Sequence, residues 1–521
     1  MKEIIYIQAG NLSNYAGTHF WNTQETYLAE ETADSPYDFD VSFREGLSPT
    51  GRPTICPRLL VFDTKANFGT LAKSNALLGT NEDELPSEDF PVIWNGGVTE
   101  YRQDPIPESA YHSSLEKAEE EEDDEKIDDT DGSREDVRYW SDFNRLYYIP
   151  RTVQPLPDPA EWENPEGDWN LGQSLFSRYD EDQGLMEGSV RLFLEECDSP
   201  QGIQVINDTP TFGGFINSFL TSFRDQYLKI PCLVFPLLSD AVSKRVVPSD
   251  DSTGTRKIIN DALYLRSLDE LASMSVPIQL PNAWPTEAWC PYLTAELNNT
   301  YHVSAILSAH VETSTLPLRL KGRYDDLGTV ANRLNWRGTT RFSELSGIFP
   351  FNSAEDFERR LVNFSAGGVE HGAKHHQFTR LDVTRGFSPS GLSAYEQWSA
   401  GRSLQDAYIS RIHAPPYPIP TSYPAFFKPA DDGMPARKGI FAQPVQTSVF
   451  SSLSTSTQTA HLFSSYAAAI EAYLKRKPTD QALGFENDEL RDLVNDLWTL
   501  HDNFNDGGED GESSLLGEDE E

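Results

Sequence analysis

Short apolar runs alternate with amphipathic stretches along the first half of the chain. The amphipathic stretches have helical spacing, both in the TQETYLAEE that begins at Thr23 and across residues 213–227. The apolar runs have the length of buried strands, and they cover residues 2–10, 58–63, 203–207 and 230–237. Buried strands that alternate with helices predict a parallel sheet in an α/β domain.

The second half of the chain is less regular until its end. Apolar residues recur at helical spacing over 462–477 and 486–504, which predicts two C-terminal helices. Residues 447–459 are rich in Ser and Thr and are interpreted as a connector, and residues 155–172 as an irregular loop. A chain of 521 residues exceeds the usual size of one core, so we expect two or more packed domains.

Acidic residues outnumber basic ones by 82 to 42, which gives a formal charge of −40. Residues 116–136 hold thirteen acidic and three basic side chains, and residues 502–521 hold nine acidic side chains and no basic one. These segments contribute −10 and −9, so −21 remains on the rest of the chain. Segments of this composition cannot bury a core, and we therefore expect a disordered insertion and a disordered acidic tail.

The charge and the apolar pattern argue against several classes of partner. Nucleic acid and anionic lipid bind clustered basic groups, so direct nucleic-acid binding is not expected. No apolar stretch reaches the roughly 18 residues that span a bilayer, and the N-terminus resembles neither a secretory nor a mitochondrial leader. Four widely spaced cysteines without a CxxC pair predict reduced cytosolic thiols.

Motifs for phosphate, nucleophile or metal chemistry are weak in this chain. The nearest P-loop match, residues 167–174, has Gln173 where a lysine must reach the phosphates, and no strand precedes it. No GxSxG sequence is present. His371 and His375 would share a helical face, but the flanking glycines and the absence of nearby carboxylate or cysteine ligands favour a solvated loop, so no metal is expected.

Four sequence segments, in the same order, resemble segments of the tubulins. Residues 1–21 are similar to the first strand, phosphate loop and first helix, and residues 60–71 to the following strand and loop. Residues 197–204 resemble the segment that leads to the glycine-rich phosphate loop, and residues 258–265 resemble the start of the central core helix. The resemblance extends to about residue 320.

Other features resemble one branch of these proteins. They are the THFWN sequence that starts at Thr18, the acidic insertion and the LDVTRGF sequence at 381–387. Together they resemble the fungal branch of the Misato family, tubulin-related proteins tied to mitochondrial distribution and mitochondrial DNA inheritance. The resemblance implies an α/β fold with a tubulin/FtsZ-like parallel-sheet domain of the nucleotide-binding type, a divergent second α+β domain and C-terminal helices.

The resemblance also divides the chain into segments. These are an N-terminal tubulin-like segment 1–112, an acidic disordered insertion 113–137, the remainder of the tubulin-like core 138–320, a divergent second domain 321–446, C-terminal helices 460–501 and an acidic disordered tail 502–521.

A guanine-nucleotide site, if binding is retained, would use residues that the resemblance assigns one by one. They are Gly10, Asn11, Asn14, Thr211, Gly213, Gly214 and Asn260. Asn11 would contact a phosphate or its metal, and Asn260 falls at the position that contacts guanine.

The glycine-rich phosphate loop itself is degenerate. Anchored on 224–227, the loop falls on residues 208–214, where Asp208 adds negative charge, Pro210 removes an N–H donor and Phe212 adds bulk. Each change opposes phosphate binding. We therefore expect no bound cofactor, with GTP as the alternative.

Hydrolysis of a nucleotide is expected still less. In tubulins the acidic residue that orients the attacking water follows a Leu-Asn pair in the loop after the core helix. The counterpart assigned here, residues 297–302, has Thr300 at that position, and a hydroxyl is no base at neutral pH. The sequence therefore predicts a protein without GTPase activity.

The expected function is that of a non-enzymatic tubulin-like protein in mitochondrial partitioning and mitochondrial DNA inheritance, which acts through protein contacts. One alternative is a GTP-binding cytoskeletal protein that polymerises. Another is a helper in tubulin folding or spindle assembly that works with chaperonin. The expected partners are proteins, tubulin or chaperonin among them, and the expected location is peripheral on the mitochondrion and in the cytoplasm.

Overall fold

A computed structural model gives the architecture of most of the chain. The residues that it describes are 2–29, 35–47, 53–69, 71, 109, 111, 137–157, 168–242, 252–284, 292–323, 325–351, 357–366, 376–401, 408–428, 444–476 and 484–505. The acidic insertion at 116–136, His371, His375 and the tail beyond residue 505 lie outside the described residues. The predictions for those segments are therefore not tested by the structure.

The strands form two main sheets and two small pairings. In chain order they are β1 (Glu3–Ala9), β2 (Phe43–Leu47), β3 (Pro53–Pro57), β4 (Leu59–Thr64), β5 (Val153–Leu156), β6 (Pro200–Asp208), β7 (Cys232–Leu237), β8 (Met274–Ser275), β9 (Glu344–Ile348), β10 (Val362–Asn363), β11 (Gln377–Arg385), β12 (Tyr408–Ala414), β13 (Tyr417–Pro418), β14 (Gln446–Thr447) and β15 (Val449–Ser456).

The helices pack on both sides of the first sheet and on the second. They are α1 (Asn11–Ala29), α2 (Trp169–Gln183), α3 (Arg191–Glu195), α4 (Thr209–Gln226), α5 (Ser252–Leu271), α6 (Thr300–Thr315), α7 (Leu327–Leu334), α8 (Phe357–Arg360), α9 (Pro389–Gly401), α10 (Ala460–Arg476) and α11 (Asn487–Phe504). The predicted C-terminal helices are confirmed as α10 and α11.

The first sheet has six parallel strands in the order β5-β4-β1-β6-β7-β8. The apolar runs of the sequence supply β1, β4, β6 and β7, which are buried along nearly their whole length because helices cover both faces. The predicted parallel α/β sheet is confirmed. The strand order reverses between β1 and β6, and open α/β sheets bind ligands at the carboxyl ends of strands at such a point.

The two faces of the first sheet have separate apolar cores. Alternate residues of β1 point to opposite faces, so Ile5 and Ile7 pack with α2, α4, α5 and the C-terminal helices, whereas Ile4 and Tyr6 pack with α1 and α6. Helix α6 also contacts β15, β11 and β9 of the second sheet. Every residue of α6 from Tyr301 to Thr315 is consequently buried.

The position of α6 corrects one assignment made from sequence. Residues 258–265 were assigned to the start of the central core helix, but they belong to α5, which lies between β7 and β8 in the chain and packs against α4, α10 and α11. The helix at the centre of the molecule, between the two sheets, is α6. The assignment was wrong because nine of the sixteen α6 side chains are polar, so its sequence lacks the apolar run of a core helix.

The second sheet has the order β10-β9-β15-β11-β12, in which only β11 and β12 pair in parallel. Its central strand, β15, lies within the Ser/Thr-rich segment 447–459, so the interpretation of that segment as a connector was wrong. All eight residues of β15 are buried. Within residues 155–172, the described part includes the end of β5 and the start of α2, so that segment is not irregular throughout.

A group of buried charges joins the two halves of the molecule. The carboxylate of Glu312 on α6 accepts hydrogen bonds from Arg385 on β11 at 2.6 Å and from Arg319 at 3.3 Å. Gln24 and Tyr27 of α1 each donate to the same carboxylate at 3.1 Å. These five side chains therefore connect α1, α6 and the second sheet, and we call them the Glu312 cluster.

Among the residues described, none of the helices combines the length and the apolar character needed to cross a membrane.

Candidate functional site

The candidate site lies where the strand order of the first sheet reverses. Strand β1 ends at Ala9, which is opposite Asn207 of β6, and each strand leads directly to a helix. Helix α1 begins at Asn11 and α4 begins at Thr209. The two helix N-termini, which attract anions, thus lie side by side at one edge of the sheet.

Gly10 makes the turn between β1 and α1. Its φ is +106°, a conformation that side chains rarely adopt. A Cβ at this position would lie 2.6 Å from Oδ2 of Asp208, so glycine is required on steric grounds as well. The Gly10 N–H donates to the carbonyl of Phe62 at 3.1 Å, which ties the turn to β4.

The carboxylate of Asp208 lies against the first turn of α1. Its Oδ2 accepts the backbone N–H of Leu12 at 2.9 Å, and its Oδ1 accepts that of Ser13 at 2.8 Å. The Ser13 hydroxyl in turn donates to the Gly10 carbonyl. The N–H groups that a phosphate would need at this loop therefore already donate to a carboxylate of the same chain.

The two asparagines assigned to the first loop have different environments. Asn11 is exposed at the start of α1. Asn14 is fully buried, and its amide donates to the Phe62 carbonyl at 3.0 Å and to Asp63 at 2.9 Å. Burial raises the pKa of Asp63, although hydrogen bonds from Asn67 and Asn14 oppose that shift. Asn14 thus bonds to residues near the C-terminal end of β4.

The glycine-rich loop expected at 208–214 does not exist as a loop. Strand β6 runs to Asp208 and α4 begins at the next residue, so Thr211, Gly213 and Gly214 all lie within the first two turns of a helix. A Cβ on Gly214 would lie 2.3 Å from the carbonyl oxygen of Trp169, and Gly172 of α2 lies directly opposite. Gly214 therefore allows the close crossing of α2 and α4.

Asn260 lies on α5 and is buried. Its amide donates to the Thr209 carbonyl at the start of α4, and a Cβ on Gly213 would approach that amide to 3.1 Å. On the same helix Tyr264 donates to Asn207 at the end of β6. Asn260 and Tyr264 thereby fix the junction between β6 and α4.

A guanine nucleotide does not fit these residues. The phosphate side holds the Asp208 carboxylate, Pro210 offers no N–H, and the backbone of 209–214 is helical rather than folded around an anion. Within the described ranges, no group of three or more His, Cys, Asp or Glu side chains is arranged to hold a metal ion.

The segment assigned to water activation also lies elsewhere than expected. Residues 297–302 precede α6 rather than follow it, with Asn299 as N-cap and Thr300 as first residue. After α6 come Asp325, which binds Arg323 and Arg333, and Asp326, which caps α7 through Thr329. The assignment of Thr300 to the water-orienting position after the core helix is therefore wrong, and the two acids that do follow α6 have structural partners.

Sequence reasoning missed the buried ionisable groups outside the candidate site. Asp261 on α5 accepts hydrogen bonds from Ser239 and from Tyr466 of α10, and burial raises its pKa to about 7. The sequence likewise gave no indication that Glu312 is buried, since a carboxylate is usually on the surface. The one indication in the sequence was the LDVTRGF segment, which contains its partner Arg385.

Comparisons with known proteins agree with this architecture. The profile of the Misato Segment II tubulin-like domain matches residues 2–117, and that of a tubulin domain matches residues 130–320. A protein named dml1 from Aspergillus niger is 30% identical, over 97% of this chain and all of its own length. Protein DML1 from Phaeosphaeria nodorum is 28% identical over 99% of both chains, and dml-1 from Neurospora crassa is 28% identical over 98% of this chain and 99% of its own.

Proposed function

Because this chain belongs to the Misato family of tubulin-like proteins, we propose that it acts in partitioning mitochondria and in inheritance of mitochondrial DNA through protein contacts and without enzymatic activity. The family resemblance is the support for the proposed mitochondrial role. The chemistry of the candidate site supports the proposed absence of a nucleotide-driven step. In this proposal the protein works at the mitochondrial periphery and in the cytoplasm, with tubulin or chaperonin among the proteins to test as partners.

One observation carries the non-enzymatic part of the proposal, namely the direct passage from β6 to α4. A phosphate loop turns successive N–H groups inward on an anion, whereas the N–H groups of an α-helix beyond its first turn are bonded within the helix. Gly213 and Gly214 support helix packing instead. Loss of two or three charge-assisted hydrogen bonds, worth about 1.5–3 kcal/mol each, weakens a nanomolar nucleotide site by several orders of magnitude.

The first experiment measures nucleotide in the purified full-length protein. Protein purified without added nucleotide is denatured, and the released bases are quantified by chromatography. We expect far less than one guanine nucleotide per chain and no GTP hydrolysis above the buffer blank. Stoichiometric GTP that is hydrolysed on assembly would instead support the polymerising alternative.

The second experiment tests function in cells. The chain is expressed in Aspergillus niger depleted of its own dml1, and mitochondrial distribution and mitochondrial DNA copy number are measured. The variant N11A/T211A changes an exposed and a half-exposed side chain at the candidate nucleotide site, so its fold should persist. We expect this variant to rescue both phenotypes as well as the unaltered chain does. Failure of the folded variant alone would contradict the proposal.

A further inference from the structure

The first loop of the fold implies a phosphate, and this chain places its own carboxylate there. We propose that Asp208 is an intramolecular substitute for that anion, which closes the N-terminus of α1 to phosphate and binds β6 to α1. This inference rests on the proposed function, in which no nucleotide occupies the site. It explains how a tubulin-like fold keeps this junction ordered without a ligand.

The geometry of Asp208 is that of a bound oxyanion. Its two oxygens accept the N–H groups of consecutive residues, Leu12 and Ser13, at 2.9 and 2.8 Å. Helix α1 has no acidic residue of its own in its first turn, so Asp208 supplies the negative charge that complements the helix dipole. The carboxylate reaches α1 from a residue nearly 200 positions later, so the contact joins two strands of the sheet.

The position of Asp208 in its own helix supports this interpretation. Asp208 is the N-cap residue of α4, where an aspartate usually accepts an N–H of the helix it precedes. In the described structure its side chain makes no capping bond to α4. The carboxylate bonds across the sheet to α1 instead.

The Asp208 carboxylate excludes a phosphate by its volume as well as by its charge. A Cβ on Gly10 would overlap Asp208, which shows that the carboxylate fills the concavity of the turn. A phosphate in the same position would need both this volume and the two N–H groups. It can therefore enter only after the carboxylate is removed.

The competing explanation is that Asp208 is an ordinary cap with no relation to anion binding. The two explanations differ in what happens when the side chain is shortened. D208A removes both the charge and the volume. D208N removes the charge but leaves an amide of the same size in the turn, so it serves as the matched control.

The experiment uses full-length protein and inorganic phosphate as the probe. Thermal unfolding midpoints are measured in sodium phosphate and in sodium chloride at equal ionic strength and pH. Phosphate stabilises proteins in general by exclusion from their surface, so the response of the unaltered chain is subtracted. We expect both variants to unfold about 2–4 °C below the unaltered chain in chloride.

Only D208A should then recover at least half of this loss in phosphate, because only D208A offers two N–H groups and an open turn. Equal phosphate responses of D208A, D208N and the unaltered chain would overturn the inference. The inference would also be overturned if phosphate raised the unfolding midpoint of the unaltered chain more than that of D208A. If the unaltered chain instead carries stoichiometric GTP, the proposed function fails, whereas an unresponsive D208A in a nucleotide-free protein refutes only the role of Asp208.

Discussion

At the scale of single residues, carboxylates that are buried (Asp261, Glu312) or partly buried (Asp208) show which elements depend on each other. Removing a carboxylate from water is costly unless hydrogen bonds or opposite charges compensate. Asp208 joins β6 to α1, Asp261 joins α5 to α10, and Glu312 joins α6 to β11. Each acid belongs to one element and obtains its donors from another, so each can be tested by a single substitution.

Asp261 should make stability depend on pH. Burial raises its pKa to about 7, from an ordinary value of 3.8, although hydrogen bonds from Ser239 and Tyr466 oppose the shift. Its contribution is full below pH 3.8 and is lost as the pH rises through 7, because in this window the folded protein holds a proton that the unfolded chain releases. We expect the free energy of unfolding to fall by about 1 kcal/mol per pH unit relative to D261N. Urea unfolding of both proteins from about pH 4 to 8 measures this.

Asp325 provides a control of opposite sign. Partial burial opposes the shift, but hydrogen bonds from Arg323 and attraction to Arg333 leave its pKa below the ordinary value. Its contribution is present above that ordinary value and is lost as the pH falls. The difference between the unaltered chain and D325N should therefore increase with pH below the ordinary value of 3.8 and stay constant above it. Parallel pH profiles for D261N and D325N would contradict both assignments.

The sequence predicted part of this residue-scale picture. The negative charge of Asp208 and the missing N–H of Pro210 could be read directly, because each is a property of one side chain. The partner of Asp208 could not, since it lies on a helix almost 200 residues earlier. In the same way Asn260 was assigned to a guanine-contacting position on the core helix, whereas the fold places it on α5, where its amide bonds the Thr209 carbonyl.

At the scale of elements, glycines determine how closely two helices approach. Gly172 on α2 and Gly214 on α4 lie at the crossing of these helices, where a Cβ on either would meet the backbone of the other helix. In sequence Gly214 resembled part of a phosphate loop, because glycine serves both close backbone packing and anion-binding turns. The helical backbone of residues 209–214, which leaves no loop after β6, distinguishes the two uses.

G214A should destabilise the protein by forcing α2 and α4 apart. The added Cβ would lie 2.3 Å from the Trp169 carbonyl oxygen, and overpacking of this kind costs about 1–3 kcal/mol. Gly188 is the matched control, because it also lies in a helical segment and a Cβ added there would have no other atom within 4 Å. G188A should therefore leave stability unchanged or raise it by up to about 1 kcal/mol. Urea denaturation midpoints compare the two. Equal effects would contradict the packing role of Gly214.

The strands and helices themselves were predicted with unequal success. Strands β1, β4, β6 and β7 were recognised because they are continuous apolar runs. Strand β15 was missed because VFSSLSTS is rich in serine, yet its hydroxyl groups are buried, and Ser451 for example bonds His310 of α6 at 2.9 Å. Polar residues that find partners inside the protein carry no apolar signal in the sequence.

At the scale of the whole molecule, the Glu312 cluster and α6 join the two sheets. Arg385 and Glu312 are both fully buried, so their charges have no access to water. Removing one member of such a pair leaves the other unpaired in the interior. The cluster should therefore couple the stability of the first and second sheets.

E312Q and R385M should each destabilise the protein by about 3–5 kcal/mol. The double variant E312Q/R385M should cost less than the sum, with a coupling of at least about 1 kcal/mol, because the second change removes the charge left unpaired by the first. Urea unfolding of the unaltered chain, the two single variants and the double variant measures this coupling as a double-mutant cycle. The exposed pair Arg191 and Glu195 is the control, and the cycle of R191A and E195A should show a coupling below about 0.5 kcal/mol. Additive effects at Glu312 would contradict the role of the cluster.

Because α6 packs between the two sheets, it also affects the order in which the protein can fold during synthesis. The first sheet and α6 leave the ribosome well before β15, the central strand of the second sheet, which ends at Ser456. Until then the second sheet cannot close over α6, because β9 and the Arg385-bearing strand β11 both pair with β15. The nascent chain must therefore pass through a long interval with an incomplete core, during which binding by a folding helper would protect it.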